Sequence, residues 1–272
     1  MTALTMSRTP SRIWQDAPVF TGLALFIALT TLPLLAAAMI DTRIFAGAPV
    51  WQKPLQFHLA LGTYIITLAF FARFLPDGMQ SRRWRIYAGV VCFCILAELV
   101  WVGGAASYAT ASHFNVDDIV MGTLYGLMGV FAVILTSASG VMGVAIWRNP
   151  NTGLAPALHL SIALGLILTF ILTVIAAGTM SSMPGHHIGT PLTNASLPIL
   201  GWSREIGDLR VAHFFATHAL HVIPLAGLIA TRLFSTVTAR GIVGAAALAY
   251  TLLVILTMVQ AFQGQPFLPW LG

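Results

Sequence analysis

The chain has 272 residues, of which 58% are hydrophobic and 8% are charged. A soluble domain is usually about one quarter charged, so this composition excludes one and indicates a protein embedded in a membrane. The net charge of +5 does not indicate nucleic acid binding, because the basic residues are scattered over the predicted loop ends. We therefore predict an integral membrane protein that contacts the lipid bilayer and binds no nucleic acid.

Seven apolar stretches are long enough to cross a bilayer, which takes about 20 residues each. In chain order, the predicted spans are 18–40, 54–75, 84–106, 118–147, 158–179, 210–234 and 240–263. The predicted fold class is therefore all-α, a polytopic transmembrane bundle of seven helices. The bundle occupies 18–263, between a cytoplasmic N-terminal segment at 1–17 and a short outer tail at 264–272.

The distribution of Lys and Arg predicts the orientation of this bundle. With the N-terminus inside, nine of the 13 Lys and Arg residues fall in cytoplasmic segments, and the C-terminus is outside. The long loop at 180–209, which carries His186 and His187, then lies on the outer side, where such loops are often functional. The first span has a longer apolar region than a signal peptide, so we expect an uncleaved anchor.

The stretch at 201–234 concentrates titratable side chains in an apolar helix. At about 100° per residue, His213, His218 and His221 share one broad helix face. Histidines inside a membrane helix are costly and tend to face the bundle interior. Pro224 follows three residues after His221, where it bends the helix beside the histidines.

Glu98 is the one acidic residue in the interior of a predicted span. It lies about 12 Å from the outer end of its helix, at the depth of His218 on a helix that runs the other way. Except for His159, all of the histidines fall in the outer half of the bundle or in the outer loops. We therefore expect the polar side chains to converge in one pocket near the outer face.

Imidazoles with one carboxylate are suitable ligands for zinc, copper or iron, and imidazoles from two helices hold haem b. The leading hypothesis is a redox protein that binds a transition metal (Cu, Zn or Fe) or haem b and exchanges electrons with a membrane or periplasmic partner. The expected metal ligands are His213, His218, Glu98, His113 and His187. Further members of the site are Asp208, Arg210, His58 and His221.

Each of these residues also has a purely structural interpretation. Loop residues such as His113 and His187 are ordinarily solvated, and His213 can bond a backbone carbonyl. Glu98 can be a neutral buried carboxyl, since burial raises a carboxyl's pKa. Asp208 is suited to the N-cap of the helix that follows, and Arg210 either reaches the interface or clamps an anionic group.

Three other functions stay open at this point. Glu98 and the histidines suit a proton-coupled transporter of a small molecule or ion. Zinc with Glu98 as general base suits a membrane-embedded hydrolase, by architectural analogy. The chain also suits a non-catalytic subunit of a membrane complex, so the sequence does not decide whether the protein is an enzyme. A retinal Schiff base is excluded, because Lys53 is the only lysine and is not in the last span.

Three sequence patterns carry a resemblance over residues from about Asp41 to Pro224. They are Gly47-Ala48-Pro49-Val50-Trp51 with Lys53-Pro54, then Ser112-His113-Phe114-Asn115, then Gly207-Asp208-Leu209-Arg210 ahead of His213-Phe214 and His218. In these the chain resembles a family of uncharacterised bacterial seven-helix integral membrane proteins, which implies the cytoplasmic (inner) membrane but no activity. His58 and His221 depart from the family pattern, whereas Glu98 and the remaining predicted histidines fit it.

Overall fold

The computed structural model describes residues 13–76, 78–193 and 195–271. Within these residues, seven helices are long and apolar enough to cross a membrane. After a short helix α1 (Ile13–Asp16), they are α2 (Pro18–Ile40), α3 (Gln52–Phe71), α4 (Arg82–Ser107), α5 (Ile119–Trp147), α6 (Pro156–Ser181), α7 (Leu209–Leu233) and α8 (Thr236–Phe262). The predicted all-α bundle is confirmed, and most of the predicted N-terminal segment lies outside the described residues. The orientation across the membrane stays a prediction.

Two short hairpins stand at the same end of the bundle. Strand β1 (Ile44–Phe45) pairs antiparallel with β2 (Ala48–Pro49), and β3 (His187–Ile188) pairs antiparallel with β4 (Gly207–Asp208). Because successive helices alternate in direction, segments 41–51, 108–118, 182–208 and 263–271 meet there, and we call this the loop-rich end. Hydrogen bonds join these segments to their neighbours: Arg43 donates to the Ser107 carbonyl at 3.0 Å, and Arg204 donates to the Phe267 carbonyl at 3.1 Å.

Several helices begin at a residue whose side chain caps the first turn. Asp118 accepts from the backbone N–H groups of Val120 and Met121, both at 2.9 Å. Ser81, Asp208 and Ser235 do the same for α4, α7 and α8. Each such cap stabilises a helix by about 1 kcal/mol, which fixes where α7 starts and therefore how deep its histidines lie.

Small residues let α6 and α7 cross at close range. A side chain added at Gly227 would place its Cβ 2.0 Å from Ser161 Oγ, and one added at Gly165 would lie 2.8 Å from Pro224 Cδ. Two helices approach each other this closely in a membrane when small residues face each other. In the same crossing, Thr169 Oγ1 accepts from the Leu220 backbone N–H at 2.7 Å, four residues before the proline.

An apolar core joins the helices, and apolar side chains also cover their outer faces. The largest buried cluster includes Phe20, Ile65, Ile95, Met142 and Leu166, from five different helices. Helix α2 in contrast leaves many large apolar side chains exposed. A surface of this kind matches lipid contact, since the hydrocarbon of a bilayer is as apolar as the core.

Candidate functional site

Helix α7 presents half-buried histidines toward the inside of the bundle. The His218 ring stacks on Phe214 with centroids 4.0 Å apart, and its Nδ1 lies 2.8 Å from the Phe214 carbonyl oxygen. Because a carbonyl oxygen only accepts, Nδ1 carries the proton and the lone pair of Nε2 stays free. The rings of His218 and His221 are 5.3 Å apart.

His221 has the opposite arrangement of ring protons. Its Nε2 lies 3.0 Å from Thr67 Oγ1, and that hydroxyl donates its own proton to the Thr63 carbonyl at 2.7 Å. The Thr67 oxygen therefore accepts from His221 Nε2–H, which leaves Nδ1 as the unprotonated nitrogen. The Nδ1 atoms of His221 and His213 are both fully enclosed and have no hydrogen-bond partner in the part of the chain that is described.

Glu98 is 4% exposed on α4, and within the described residues it forms no hydrogen bond. It lies about 13 Å from the end of α4, and His218 lies about 13 Å from the start of α7, so both stand at one depth below the loop-rich end. A buried polar group without a partner costs about 1–3 kcal/mol, so the position of Glu98 calls for an explanation.

Lys53, in the first turn of α3, is the positively charged residue whose field acts on the Glu98 carboxyl. The two groups interact electrostatically but form no direct ion pair. The Lys53 ammonium instead lies over the Phe57 ring, 6.0 Å from its centroid. Lys53 was not among the residues that the sequence predicted for the site. Its being the only lysine of an apolar chain could have indicated it.

His113 approaches the same region from the loop between α4 and α5. Its ring centroid lies 5.7 Å from that of Phe57 and 5.6 Å from that of Tyr125, and its Nδ1 is 3.1 Å from Ser112 Oγ. Burial, together with the nearby positive charge of Lys53, lowers the pKa of His113 to about 3. The imidazole is therefore neutral at physiological pH.

His186 and His187 stand side by side at the start of the β3–β4 hairpin. Their ring centroids are 4.2 Å apart, and the His186 ring also lies 6.3 Å from Phe114. Burial and the positive charge of Arg210 lower the pKa of His186 to about 3. His187 Nε2 lies 3.5 Å from Asp208 Oδ2, so this histidine belongs with the carboxylate of α7's first turn and not with Glu98.

Asp208 and Arg210 fasten the long loop to α7. The predicted N-cap is confirmed, since Asp208 accepts from the Arg210 backbone N–H at 3.0 Å, and it also accepts from Ser203 N–H at 3.0 Å. The Arg210 guanidinium donates to Asp208 at 2.6 Å and to the Gly201 carbonyl at 2.5 Å. Burial raises the pKa of Asp208, but hydrogen bonds from His187 and Arg210 outweigh it and hold that pKa below its usual range.

The predicted residues lie at the loop-rich end or up to about 18 Å below it, but they do not form one shell. His58 is buried and its Nδ1 bonds the Pro54 carbonyl of its own helix at 2.9 Å, which is a structural role. Among the described residues, no group of three or more His, Cys, Asp or Glu is placed to hold a metal ion. The metal or haem site therefore stays a prediction.

The chain matches no family model, and comparison with curated proteins and with solved structures also gave no match. The fold by itself defines the class: a polytopic helical membrane protein. The site adds a buried carboxyl, neutral imidazoles and an ammonium that has no counter-ion in the described part of the chain. Together these groups can bind polar groups and exchange protons.

Proposed function

We propose that this protein is a proton-coupled transporter of a small polar solute that enters from the loop-rich end. The observation that carries the proposal is Glu98, a carboxyl inside a membrane helix that is 4% exposed and makes no hydrogen bond to the described residues. Ionisable groups at such depth are costly, and they mark proton relays and substrate pathways. The bacterial inner membrane is its proposed location.

The histidines of α7 supply the remaining parts of a proton path. The free nitrogens are Nε2 of His218 and Nδ1 of His221, on rings 5.3 Å apart. An imidazole accepts a proton on one nitrogen and releases one from the other, so such rings relay protons along a helix. His221 lies about 18 Å from the start of α7, which carries the polar groups past the middle of a bilayer.

Proton movement in liposomes tests this function. The purified protein is reconstituted with a pH-sensitive dye inside, and an acetate, a methylammonium, an amino acid and a sugar are added in turn under an imposed proton gradient. Protein-free liposomes give the passive leak of neutral acetic acid and methylamine, and proton movement is counted only above that leak. We expect at least one solute class to dissipate the gradient faster than this leak, and Glu98→Gln to abolish the excess. Arg232→Gln, which removes an exposed charge at the other end of α7, is the control. If no class moves protons, the proposal fails.

Binding of a transition metal or of haem b is the second candidate. It is favoured by the enclosed Nδ1 atoms of His213 and His221, which lack a partner in the described residues and are in a form that can coordinate a metal. A redox partner in the membrane or the periplasm belongs to this candidate. A visible spectrum and elemental analysis of the detergent-purified protein, repeated on His218→Ala, test it. Without Soret absorbance and without bound metal, this candidate is refuted.

A further inference from the structure

Two groups of opposite charge share the site without satisfying each other. The ammonium of Lys53 has neither a hydrogen bond nor an ion pair among the described residues. The carboxyl of Glu98 is likewise without a hydrogen bond, and its Oε2 is fully enclosed. The two charges act on each other but do not meet. A direct ion pair would remove both deficits, and the two side chains do not form one; we call the region between them the gap.

The other charges near this gap already have partners. Arg210 is bound to Asp208 and to the Gly201 carbonyl, and Asp208 is bound to Arg210, to His187 and to the Ser203 N–H. Their two charges therefore already compensate each other. Lys53 and Glu98 are the charged groups that a ligand at this place would find unpaired in the described chain.

The walls beside the gap are aromatic and neutral. Phe57 lies next to both Lys53 and His113, and Tyr125 also packs on the His113 imidazole. Such walls add no net charge, so the gap has one positive end and one negative end. In surroundings of low polarity, a ligand with a single charge would satisfy one end and leave the other unpaired.

We propose that the site recognises a small zwitterion, whose carboxylate binds Lys53 and whose ammonium binds Glu98. The proposal rests on the proposed transport function, for which it names the class of solute. Charge-assisted hydrogen bonds at both ends provide the recognition, and the neutral sum of the charges lets the ligand enter an apolar bundle. The same chemistry occurs in free amino acids and in an ethanolamine phospholipid headgroup.

Binding to the lipid-free protein in detergent tests the proposal. The zwitterionic probes are glycine, β-alanine and 4-aminobutyrate, which differ in the spacing of their charges, and the singly charged probes are acetate and methylammonium. We expect one zwitterion to bind at least about tenfold more tightly than either singly charged probe. Lys53→Met and Glu98→Gln should each weaken that zwitterion by about tenfold or more, whereas Arg232→Gln should not.

The variants also separate the two ends of the ligand. Lys53→Met should remove the weak binding of acetate and spare that of methylammonium, and Glu98→Gln should do the reverse. Lys53→Gln replaces Lys53→Met if the latter does not elute as a folded protein in size-exclusion chromatography. Equal affinity for acetate and for all three zwitterions, or zwitterion binding that survives both substitutions, would overturn the proposal.

Two further arms identify the source and separate the two proposals. Competition by lysophosphatidylethanolamine but not by free amino acids assigns the site to a headgroup, and the reverse assigns it to a soluble zwitterion. Both outcomes support zwitterion recognition. Zwitterion binding without proton movement keeps this inference and refutes transport. Proton movement driven only by a singly charged solute or by a sugar keeps transport and refutes this inference.

Discussion

Replacing Gly227 by alanine is expected to destabilise the bundle by about 2 kcal/mol. The new Cβ would lie 2.0 Å from Ser161 Oγ and 2.3 Å from Ser161 Cβ. The hydroxyl can rotate away, but Ser161 Cβ is fixed to its helix. Restoring an ordinary contact of 3.4 Å from 2.3 Å takes 1.1 Å, so α6 and α7 must separate by that distance.

The magnitude follows from three contributions. Overpacking of this kind costs about 1–3 kcal/mol. The separation also lengthens the 2.7 Å hydrogen bond from the Leu220 N–H to Thr169 Oγ1 beyond 3.5 Å, which costs about 1 kcal/mol. The better helix propensity of alanine returns about 1 kcal/mol. The net loss of about 2 kcal/mol is large for a domain of ordinary stability.

Unfolding by SDS in mixed micelles, followed by tryptophan fluorescence, measures this loss. Gly244→Ala on α8 is the matched control, because nothing lies within 4 Å of a Cβ built there. Ser161→Gly removes the obstacle, so combining it with Gly227→Ala should show favourable coupling of about 1–2 kcal/mol. The reasoning is refuted if Gly227→Ala is as stable as Gly244→Ala, or if the two substitutions are simply additive.

Three other predictions concern the α3–α7 contact and the loop-rich end. Thr67→Val removes the acceptor for His221 Nε2–H, and we expect a loss of about 1–2 kcal/mol in the same unfolding assay, with Thr30→Val as control. Asp208→Asn should release the 182–208 loop, seen as faster trypsin cleavage at Arg204, and an unchanged rate would contradict the clamp. His113 titrates near pH 3 when folded but near 6.5 when unfolded, so the unfolded chain binds more protons between these values. The contribution of His113 to the free energy of unfolding is therefore constant above pH 6.5 and decreases as the pH falls, by about 2 kcal/mol at pH 5. His113→Gln should make the melting temperature depend less steeply on pH in this range.

The helices were predictable because membrane spans are set by a long-range average of apolarity. The predicted span 118–147 and the helix Ile119–Trp147 differ by one residue at one end, where Asp118 caps the helix. Predicted starts were less accurate at 54 and 240, since Gln52, Lys53 and Arg240 are polar residues that lie within helices. Polar residues at a helix end reduce local hydropathy without ending the helix.

The depth of the candidate residues along their helices could be predicted, but their contacts could not. Helical rise alone placed Glu98 and His218 at one depth below the loop-rich end. Nothing in the sequence indicated that His187 would lie beside Asp208. That contact depends on the pairing of two strands of two residues each, β3 and β4, which are about 20 residues apart in the chain. The importance of Lys53 was also hidden, because the sequence does not show that its ammonium has no ion pair among the described residues.

The β3–β4 hairpin connects the long loop at the loop-rich end to the first turn of α7. His187 pairs with Asp208, the residue at which α7 begins, so the hairpin and the helix share one anchor. His213 lies about one turn further along α7 from this anchor. The position of the 182–208 loop and the position of the histidine face of α7 are therefore fixed by the same residue, Asp208.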